Sequence, residues 1–313
     1  MSKQPLIDEL EQAISQMMAD ADVVSPRLDP AVLGLLGIAR DLRDLPRPDF
    51  KASLKSDLER KTMMSTTAVL IPGLQTITPY LLPPGPELMD FLKRVFNAEE
   101  VERREMGPGR FHAEVRIGDS RLKIGVGSTR QMPAAFIVYV DNADETYTRA
   151  LEAGATSLFG MTENYGDRFG VVQDPAGNGW CIATYLGPSV VAQEQLNTLT
   201  TSFSVTGAQQ FIQFLKQAFN AEEVVRYDSA EGEVHHAKIR IGNSIVAVGE
   251  AYSQSQSKPS MIYMYVADCD ALYEQALRAG AKSISPVTDQ SYGDRRGGVE
   301  DAWGNQWFIA TPL

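Results

Sequence analysis

The sequence is poor in the residues that most often bind metals and perform acid–base chemistry. It has three histidines and two cysteines in 313 residues. So few imidazoles and thiols leave little material for a zinc site, a non-haem iron site or a His-based triad. The cysteines, Cys181 and Cys269, lie in different halves of the chain, which indicates no disulfide framework.

Basic residues and long apolar runs are also scarce. The chain has 29 Lys and Arg residues and 40 Asp and Glu residues, which gives a formal net charge of −11. This balance argues against non-specific nucleic-acid binding and against anionic membrane surfaces. The sequence has no apolar run of roughly 18 residues, the length of a transmembrane helix, and its first residues lack the apolar core of a signal peptide. We therefore expect a cytoplasmic protein that binds neither nucleic acid nor membrane.

Residues 1–75 differ from the rest of the chain. Ile7, Leu10, Ile14 and Met17 recur at helical spacing, which predicts an α-helical N-terminal extension. Two interpretations stay open for it. The extension either packs on the main body or on a second subunit as an arm, or it docks a partner protein as a regulatory segment.

The rest of the chain is an internal repeat. The segment Phe96–Val101 matches Phe219–Val224, and the segment Tyr165–Arg168 matches Tyr292–Arg295. The repeat predicts module 1 at residues 76–186, a linker at 187–198 and module 2 at 199–313. Within each module the order strand, helix and three strands occurs twice, with alternating strands and amphipathic helices. This order predicts an α+β fold in which helices cover one face of a sheet and leave the other face as an open cup.

This order, with the turn Asp174–Asn178 before the last strand, resembles the vicinal oxygen chelate superfamily, which includes glyoxalase I, extradiol dioxygenases and bleomycin resistance proteins. The closer resemblance is to its PhnB-like branch. It rests on His-Ala-x-x-Arg-Ile-Gly-Asp-Ser, Tyr-Gly-Asp-Arg-x-Gly and Asp-Pro-x-Gly-Asn-x-Trp-x-Ile-Ala-Thr. The resemblance covers residues 76–313 and implies two tandem glyoxalase-like modules, each of paired βαβββ units that form a cupped mixed sheet. It also implies half-modules that share sheets, a pairing that two fused modules can satisfy as a pseudo-dimer within one chain.

The metal enzymes of this superfamily chelate through His, Gln or Glu on four strands. The matching positions are Ile77 or Thr78, Lys123, Ala135 and Cys181 in module 1, and Thr200 or Thr201, Ala247, Met261 and Phe308 in module 2. Methyl and phenyl groups have no lone pair to donate, and Lys123 carries the wrong charge. Because a divalent ion needs about three or four N, O or S donors, we expect neither a metal nor another cofactor.

Strand alternation predicts which side chains face each cup. The cup of module 1 is predicted to contain His112, Glu114, Arg116, Ala135, Ile137 and Tyr139, and that of module 2 His236, Lys238, Arg240, Met261, Tyr263 and Tyr265. Cys181 and Ala183, or Phe308 and Ala310, complete the floors. Apolar surface with a few ionisable groups is typical of a small-molecule site. Glu114 against Lys238 predicts that the two cups differ in charge.

The polar candidates keep alternative interpretations. Tyr165, Arg168, Tyr292 and Arg295 lie in rim loops, where the repeated motif either orients a ligand or stiffens a turn through an Asp–Arg pair. The two cup histidines are ligand contacts, general bases or members of a hydrogen-bonded row. The two cup arginines hold an anion or pair with an acid. Cys181 is a weak nucleophile candidate because apolar burial raises a thiol pKa.

The favoured function is metal-independent binding or sequestration of a small organic molecule, and no catalytic residue is assigned. One alternative is a metal-dependent lyase, isomerase or dioxygenase. The other is a regulatory or interaction protein that forms a homodimer or binds a partner protein through residues 1–75.

Overall fold

The fold is described from a computed structural model, for residues 74–164, 166–187, 197–251 and 258–313, which belong to one compact unit of the chain. The predicted N-terminal extension (1–75) lies outside these residues up to position 73, as do Tyr165 and residues 188–196 of the predicted linker. The domain boundaries therefore stay predictions. None of the described helices is long and apolar enough to cross a bilayer.

Four βαβββ units follow one another along the chain. Unit 1 contains β1 (Ile77–Leu81), α1 (Glu87–Phe96), β2 (Glu99–Gly107), β3 (Arg110–Ile117) and β4 (Ser120–Val126). Unit 2 contains β5 (Ala135–Tyr139), α2 (Ala143–Glu152), β6 (Thr156–Asn164), β7 (Asp167–Gln173) and β8 (Gly179–Tyr185). Unit 3 contains β9 (Leu199–Val205), α3 (Ala208–Phe219), β10 (Glu222–Asp228), β11 (Val234–Ile241) and β12 (Ser244–Glu250). Unit 4 contains β13 (Met261–Tyr265), α4 (Cys269–Arg278), β14 (Lys282–Asp289), β15 (Asp294–Glu300) and β16 (Gln306–Pro312).

Local sequence signals fix the ends of these helices. α1 and α3 stop at Asn97 and Asn220, both left-handed with φ 54°, a conformation that asparagine tolerates better than most residues. This explains the repeated Phe-Asn-Ala-Glu-Glu segment. α2 and α4 begin after Asn142 and Asp268, whose side chains accept hydrogen bonds from backbone amides of the first helical turn.

The strands form two eight-stranded mixed sheets, each built from units of both modules. Sheet 1 has the order β14-β15-β16-β13-β1-β4-β3-β2, and sheet 2 has the order β10-β11-β12-β9-β5-β8-β7-β6. Antiparallel pairs β1–β13 and β5–β9 join the units. The predicted α+β class is confirmed, and half-modules share sheets within one chain. The predicted grouping of cup residues by module is wrong, because each sheet pairs half of module 1 with half of module 2.

Each hydrophobic core lies mainly within one module, whereas each sheet contains strands from both modules. One core contains Phe136 and Trp180 with the apolar faces of α1 and α2, and the other contains Phe203 and Trp307 with those of α3 and α4. Both tryptophans are fully buried. Each module is therefore a unit of side-chain packing, while each sheet is a unit of backbone hydrogen bonding.

The Arg-Ile-Gly-Asp/Asn-Ser motif ties the two sheets together. In the β3–β4 turn, Gly118 has φ 58°, and the next two side chains point at β9. Asp119 Oδ1 accepts a hydrogen bond from the Thr198 amide at 2.7 Å, and Ser120 Oγ accepts one from the Leu199 amide at 2.9 Å. The β11–β12 turn repeats this: Asn243 and Ser244 accept from the amides of Thr76 and Ile77 at 2.7 and 3.0 Å.

We predict that Asp119→Ala lowers the free energy of unfolding by about 1–2 kcal/mol, because the Thr198 amide loses its acceptor. Asp119→Asn should cost less, since Asn243 fills the same place in the other turn. Partial burial acts to raise the pKa of Asp119, but hydrogen bonds from Thr198, Ser120 and Asn197 outweigh it and hold the pKa below its ordinary value.

The ionised form of Asp119 therefore favours the folded state. Its contribution should be complete above about pH 4 and should disappear as the pH falls through the lower folded-state pKa. Urea unfolding of the wild type, Asp119→Asn and Asp119→Ala across this range tests the idea. An Asn variant as unstable as the Ala variant at every pH would contradict it.

Candidate functional site

A cavity of about 490 Å³ opens on the face of sheet 1 that points away from the core. Unit 1 contributes Tyr80, His112, Glu114 and Lys123 to its wall, and unit 4 contributes Tyr263, Tyr265, Tyr292, Asp294 and Arg296. On β3, His112 and Glu114 alternate with buried core residues, so the strand presents them to the cavity. The cavity exists because β1 and β13 are hydrogen-bonded neighbours.

Lys123 lies at the centre of this wall, held between an acid and two rings. Cross-strand pairing places it opposite Glu114, whose Oε2 is 3.4 Å from Lys123 Nζ. Nζ also lies 5.0 Å from the ring centre of Tyr263 and 5.5 Å from that of Tyr265. Glu114 forms a second ion pair with Arg121. The ion pair with Glu114 and the cation–π attraction to the two tyrosine rings together fix the ammonium group of Lys123 in place.

Asp294 anchors the two tyrosines of β13. Its carboxylate accepts a hydrogen bond from the Tyr263 hydroxyl at 2.6 Å and a longer one from the Tyr265 hydroxyl at 3.4 Å. Asp294 is only 8% exposed, so these hydroxyls replace much of its hydration. Burial first, and then the Asp294 carboxylate, raises the pKa of both phenols. The tyrosines therefore stay protonated and act as hydrogen-bond donors.

Tyr80 and His112 form a second polar pair on the same wall. The Tyr80 hydroxyl lies 3.1 Å from His112 Nδ1. Burial raises the pKa of Tyr80 to about 12. Burial also lowers the pKa of His112, and the charges of Arg104, Lys123 and Arg110 lower it further. The imidazole is therefore neutral at pH 7, and its surroundings carry a positive potential.

Arg296 differs from the other charged residues of the cavity. Its guanidinium lies 4.7 Å from the centre of the Phe308 ring. Its Nε atom is buried and has no hydrogen-bond partner among the described residues. No ion pair joins it to a carboxylate in this part of the chain. Phe169 occupies the matching place in sheet 2.

The repeated Tyr-Gly-Asp-Arg-x-Gly motif divides its side chains between the two faces of β7 and β15. Asp294 faces the cavity, whereas Arg295 pairs with Asp270 of α4 at 2.7 and 2.8 Å and with Asp289 at 2.8 Å. The final Gly297 leaves room for the Tyr273 ring, which would lie 2.7 Å from an added Cβ. Asp294 and Arg295 therefore do not pair with each other, and the Asp–Arg pair at this turn joins Arg295 to Asp289 across the β14–β15 hairpin.

Two more of the predicted arginines bind acids outside the cavity wall. Arg168 donates to both carboxylate oxygens of Asp144, at 2.9 and 2.6 Å. Arg116 pairs with Glu99 of the neighbouring strand, which agrees with the expected pairing with an acid.

The other predicted residues divide between the two sheets. His112, Glu114, Tyr263, Tyr265 and Tyr292 meet in the cavity of sheet 1. Tyr139, His236, Lys238 and Arg240 are half-buried in sheet 2, and Tyr165 lies outside the described residues. The Tyr139 hydroxyl donates to Asp167 at 3.0 Å, the counterpart of the Tyr265–Asp294 bond, because Tyr139 and Tyr265 occupy matching strand positions.

Sequence reasoning missed four groups of the cavity. Tyr80 and Arg296 were not singled out, Asp294 was treated only as part of a turn motif, and Lys123 only as a failed chelating position. A comparison of the two copies of the repeat could have found three of them. Ser202, Ala247 and Phe169 stand where sheet 1 has Tyr80, Lys123 and Arg296.

The residues of the cavity do not fit a divalent metal ion. Sheet 1 brings β1, β4, β13 and β16 side by side, and these strands carry the positions at which the resemblance places chelating groups. Lys123 and Phe308 occupy two of those positions and have no lone pair to offer as Lys⁺ and phenyl. Within the described ranges, no group of three or more His, Cys, Asp or Glu residues is placed to bind a metal.

Cys181 does not provide a nucleophile in sheet 2. It lies on β8 and pairs with Ile137 of β5. Burial raises the pKa of its thiol to about 12, with a further contribution from the charge of Asp167. The thiol is therefore protonated at neutral pH, and a protonated thiol is a poor nucleophile.

The fold and the cavity together define a two-module protein of paired βαβββ units with an open ligand face. A family model of the Glyoxalase/Bleomycin resistance protein/Dioxygenase superfamily matches the chain twice, over residues 85–182 and 197–309. These segments cover more than half of the chain. The chain therefore belongs to this superfamily.

The chain is also similar to individual proteins in sequence and in structure. An uncharacterized protein of Mycobacterium bovis is 32% identical over 126 residues, which cover 37% of this chain and 83% of that protein. Glyoxalase I from Zea mays superposes with a TM-score of 0.58, 10% identity and coverage of 75% of this chain and 92% of that one. For a putative dioxygenase from Bacillus subtilis the TM-score is 0.52, at 13% identity and 75% and 84% coverage. At such identities the structural likeness shows the fold alone.

We predict that Tyr263→Phe lowers the free energy of unfolding by about 1–3 kcal/mol, because buried Asp294 loses its shorter hydrogen bond. Tyr265→Phe is the matched control, since it removes the 3.4 Å bond from the same carboxylate and should cost less. Urea unfolding at neutral pH measures both variants. Equal losses would contradict the dominant role of Tyr263.

Proposed function

We propose that this protein binds a small organic molecule in the cavity of sheet 1 without the help of a metal ion. The cavity volume of about 490 Å³ falls within the range of small-molecule sites. Its tyrosines provide apolar surface, and its few charged groups are held in fixed positions. This combination supports recognition of one class of ligand.

The observation that carries the proposal is the position of Lys123. At a strand position where the resemblance places a chelating residue, the cavity has an ammonium group that Glu114 neutralises at 3.4 Å. The rings of Tyr263 and Tyr265 also lie close to this group, with their centres 5.0 and 5.5 Å from Nζ. An ion pair of the chain therefore occupies the point at which the metal enzymes hold their cation, and we expect a ligand to contact side chains directly.

The state of the polar groups favours binding over catalysis. The raised pKa values of Tyr80 and Tyr263 oppose the loss of a proton that a base or nucleophile needs. Glu114 is committed to Lys123 and Arg121. Held in this way, the groups form a pre-organised recognition surface.

A cytoplasmic location belongs to the same proposal. Both cysteines are free thiols in the structure. Reducing compartments keep thiols in this state, and the acidic balance of the chain supports the same location.

The proposal predicts that the full-length protein binds a neutral planar probe, 2-naphthol, equally well before and after treatment with excess EDTA. Tyr263→Ala should weaken binding by about tenfold, the loss expected for one aromatic contact. Ile137→Ala, at the matching position of sheet 2, is the control and should leave binding unchanged. Tyr263→Phe keeps the ring and should keep the affinity.

Ligand-observed NMR and isothermal titration calorimetry provide the affinities, and elemental analysis provides the metal content. Binding that disappears with EDTA and returns with an added divalent ion would overturn the proposal. So would a stoichiometric, tightly held metal ion in the purified protein. Either result would favour the metal-dependent alternative instead.

A further inference from the structure

We infer that the cavity of sheet 1 selects organic monocarboxylates with a planar apolar body, and that Arg296 binds the carboxylate. This inference rests on the proposed function and adds the chemical class of the ligand. Its starting point is the guanidinium of Arg296, whose buried Nε atom has no acceptor within the described part of the chain. A buried charged donor without a partner costs free energy, and such a group in a native cavity calls for a partner.

The neighbouring arginine shows how unusual this state is. Arg295, the preceding residue of β15, donates to two aspartates, Asp270 and Asp289. The chain has 40 acidic residues against 29 basic ones, so acceptors are plentiful. Nevertheless, no acid among the described residues forms an ion pair with Arg296.

The cavity wall contains three acids: Glu102 lies exposed on β2 and forms no ion pair with Arg296, and the other two are committed to other groups. Glu114 pairs with Lys123 and Arg121, and Asp294 accepts the hydroxyls of two tyrosines. Neither carboxylate is therefore available to the guanidinium. An acceptor for Arg296 has to arrive with the ligand.

The surroundings favour an acceptor that carries a negative charge. Arg104 and Lys123 line the same cavity, and their charges contribute to the lowered pKa of His112. The charge of Arg296 likewise lowers the pKa of Tyr80 against the stronger effect of burial, whereas burial and then the charges of Asp294 and Glu114 raise the pKa of Tyr265. The Tyr80–His112 end of the cavity, next to Arg296, is therefore the end that favours an anion. An anion between these groups gains electrostatic energy that a neutral carbonyl does not.

The geometry favours a carboxylate on a planar body. A guanidinium presents parallel N–H groups that match the two oxygens of a carboxylate. Phe308 covers one face of the Arg296 guanidinium at 4.7 Å, and Tyr80, Tyr263 and Tyr292 provide aromatic wall around the remaining space. One unpartnered guanidinium matches a single negative charge, and aromatic walls match a flat apolar ligand.

The two residues that distinguish the cavity of sheet 1 are not repeated in sheet 2. Phe169 replaces Arg296 in sheet 2, and Ala247 replaces Lys123. Sheet 2 has a cation of its own, Lys238, at the position of Glu114, but neither Arg296 nor Lys123 is part of the repeated motif. Arg296→Phe converts the first cavity toward the second and serves as a test variant with a natural precedent.

The test compares three probes of similar shape on the EDTA-treated, full-length protein: 2-naphthoate, 2-naphthamide and 2-naphthol. We expect 2-naphthoate to bind at least about tenfold more tightly than 2-naphthamide. Arg296→Gln and Arg296→Phe should abolish this preference, and Arg296→Lys should retain part of it because it keeps the charge but not the planar fork. Arg295→Gln, on the same strand but paired outside the cavity, should retain all of it.

Calorimetry of each probe with each folded variant separates the outcomes. Equal affinity of the wild type for naphthoate and naphthamide would overturn the inference, as would a full naphthoate preference in Arg296→Gln. If 2-naphthol still binds in either case, the proposed function stands and only the ligand class is wrong. If none of the three probes binds, both fail. Should the Gln and Phe variants not fold, the wild-type probe series and Arg296→Lys still decide.

Discussion

The site depends on one backbone junction, the antiparallel pairing of β1 with β13. Thr78 lies opposite Tyr263 in this register, and Ile77 lies opposite Met264. The pairing joins the first half of module 1 to the second half of module 2 across more than half of the chain. Without it, Lys123 and Glu114 would have neither Tyr263 nor Tyr265 beside them, and Arg296 would not share a cavity with His112.

Two further features hold this junction in place. The β3–β4 and β11–β12 turns bind the first residues of β9 and β1 through Asp119 and Asn243, so each sheet anchors the starting strand of the other. The hydrophobic cores join units within a module, since each core spans the two units of one module, whereas each sheet joins units of different modules. Backbone pairing and side-chain packing thus link different pairs of units, and the four units form a closed arrangement.

Much of the fold was predictable from local pattern. Alternation on β3, the helix ends and the two tryptophan cores all follow from residue type and spacing along short segments. The partners of the units did not follow in the same way, because strand periodicity tells which face is buried but not which strand lies next to it. The module-based grouping of Glu114 with Tyr139 was wrong for this reason. The face of the sheet to which the Asp294 side chain points was not predicted, because β15 begins at that residue. A shift of the strand start by one position reverses the predicted face.

The chemistry of the cavity was harder to predict than its architecture. The free state of Arg296 depends on where Glu114 and Asp294 direct their carboxylates, which is a property of the folded chain. The most direct test of the central claim is anomalous diffraction from crystals of the EDTA-treated protein soaked with 6-bromo-2-naphthoate. We expect a bromine peak in the cavity of sheet 1, with the carboxylate on Arg296. A bromine peak only elsewhere, or a metal ion coordinated by β1, β4, β13 and β16, would contradict it.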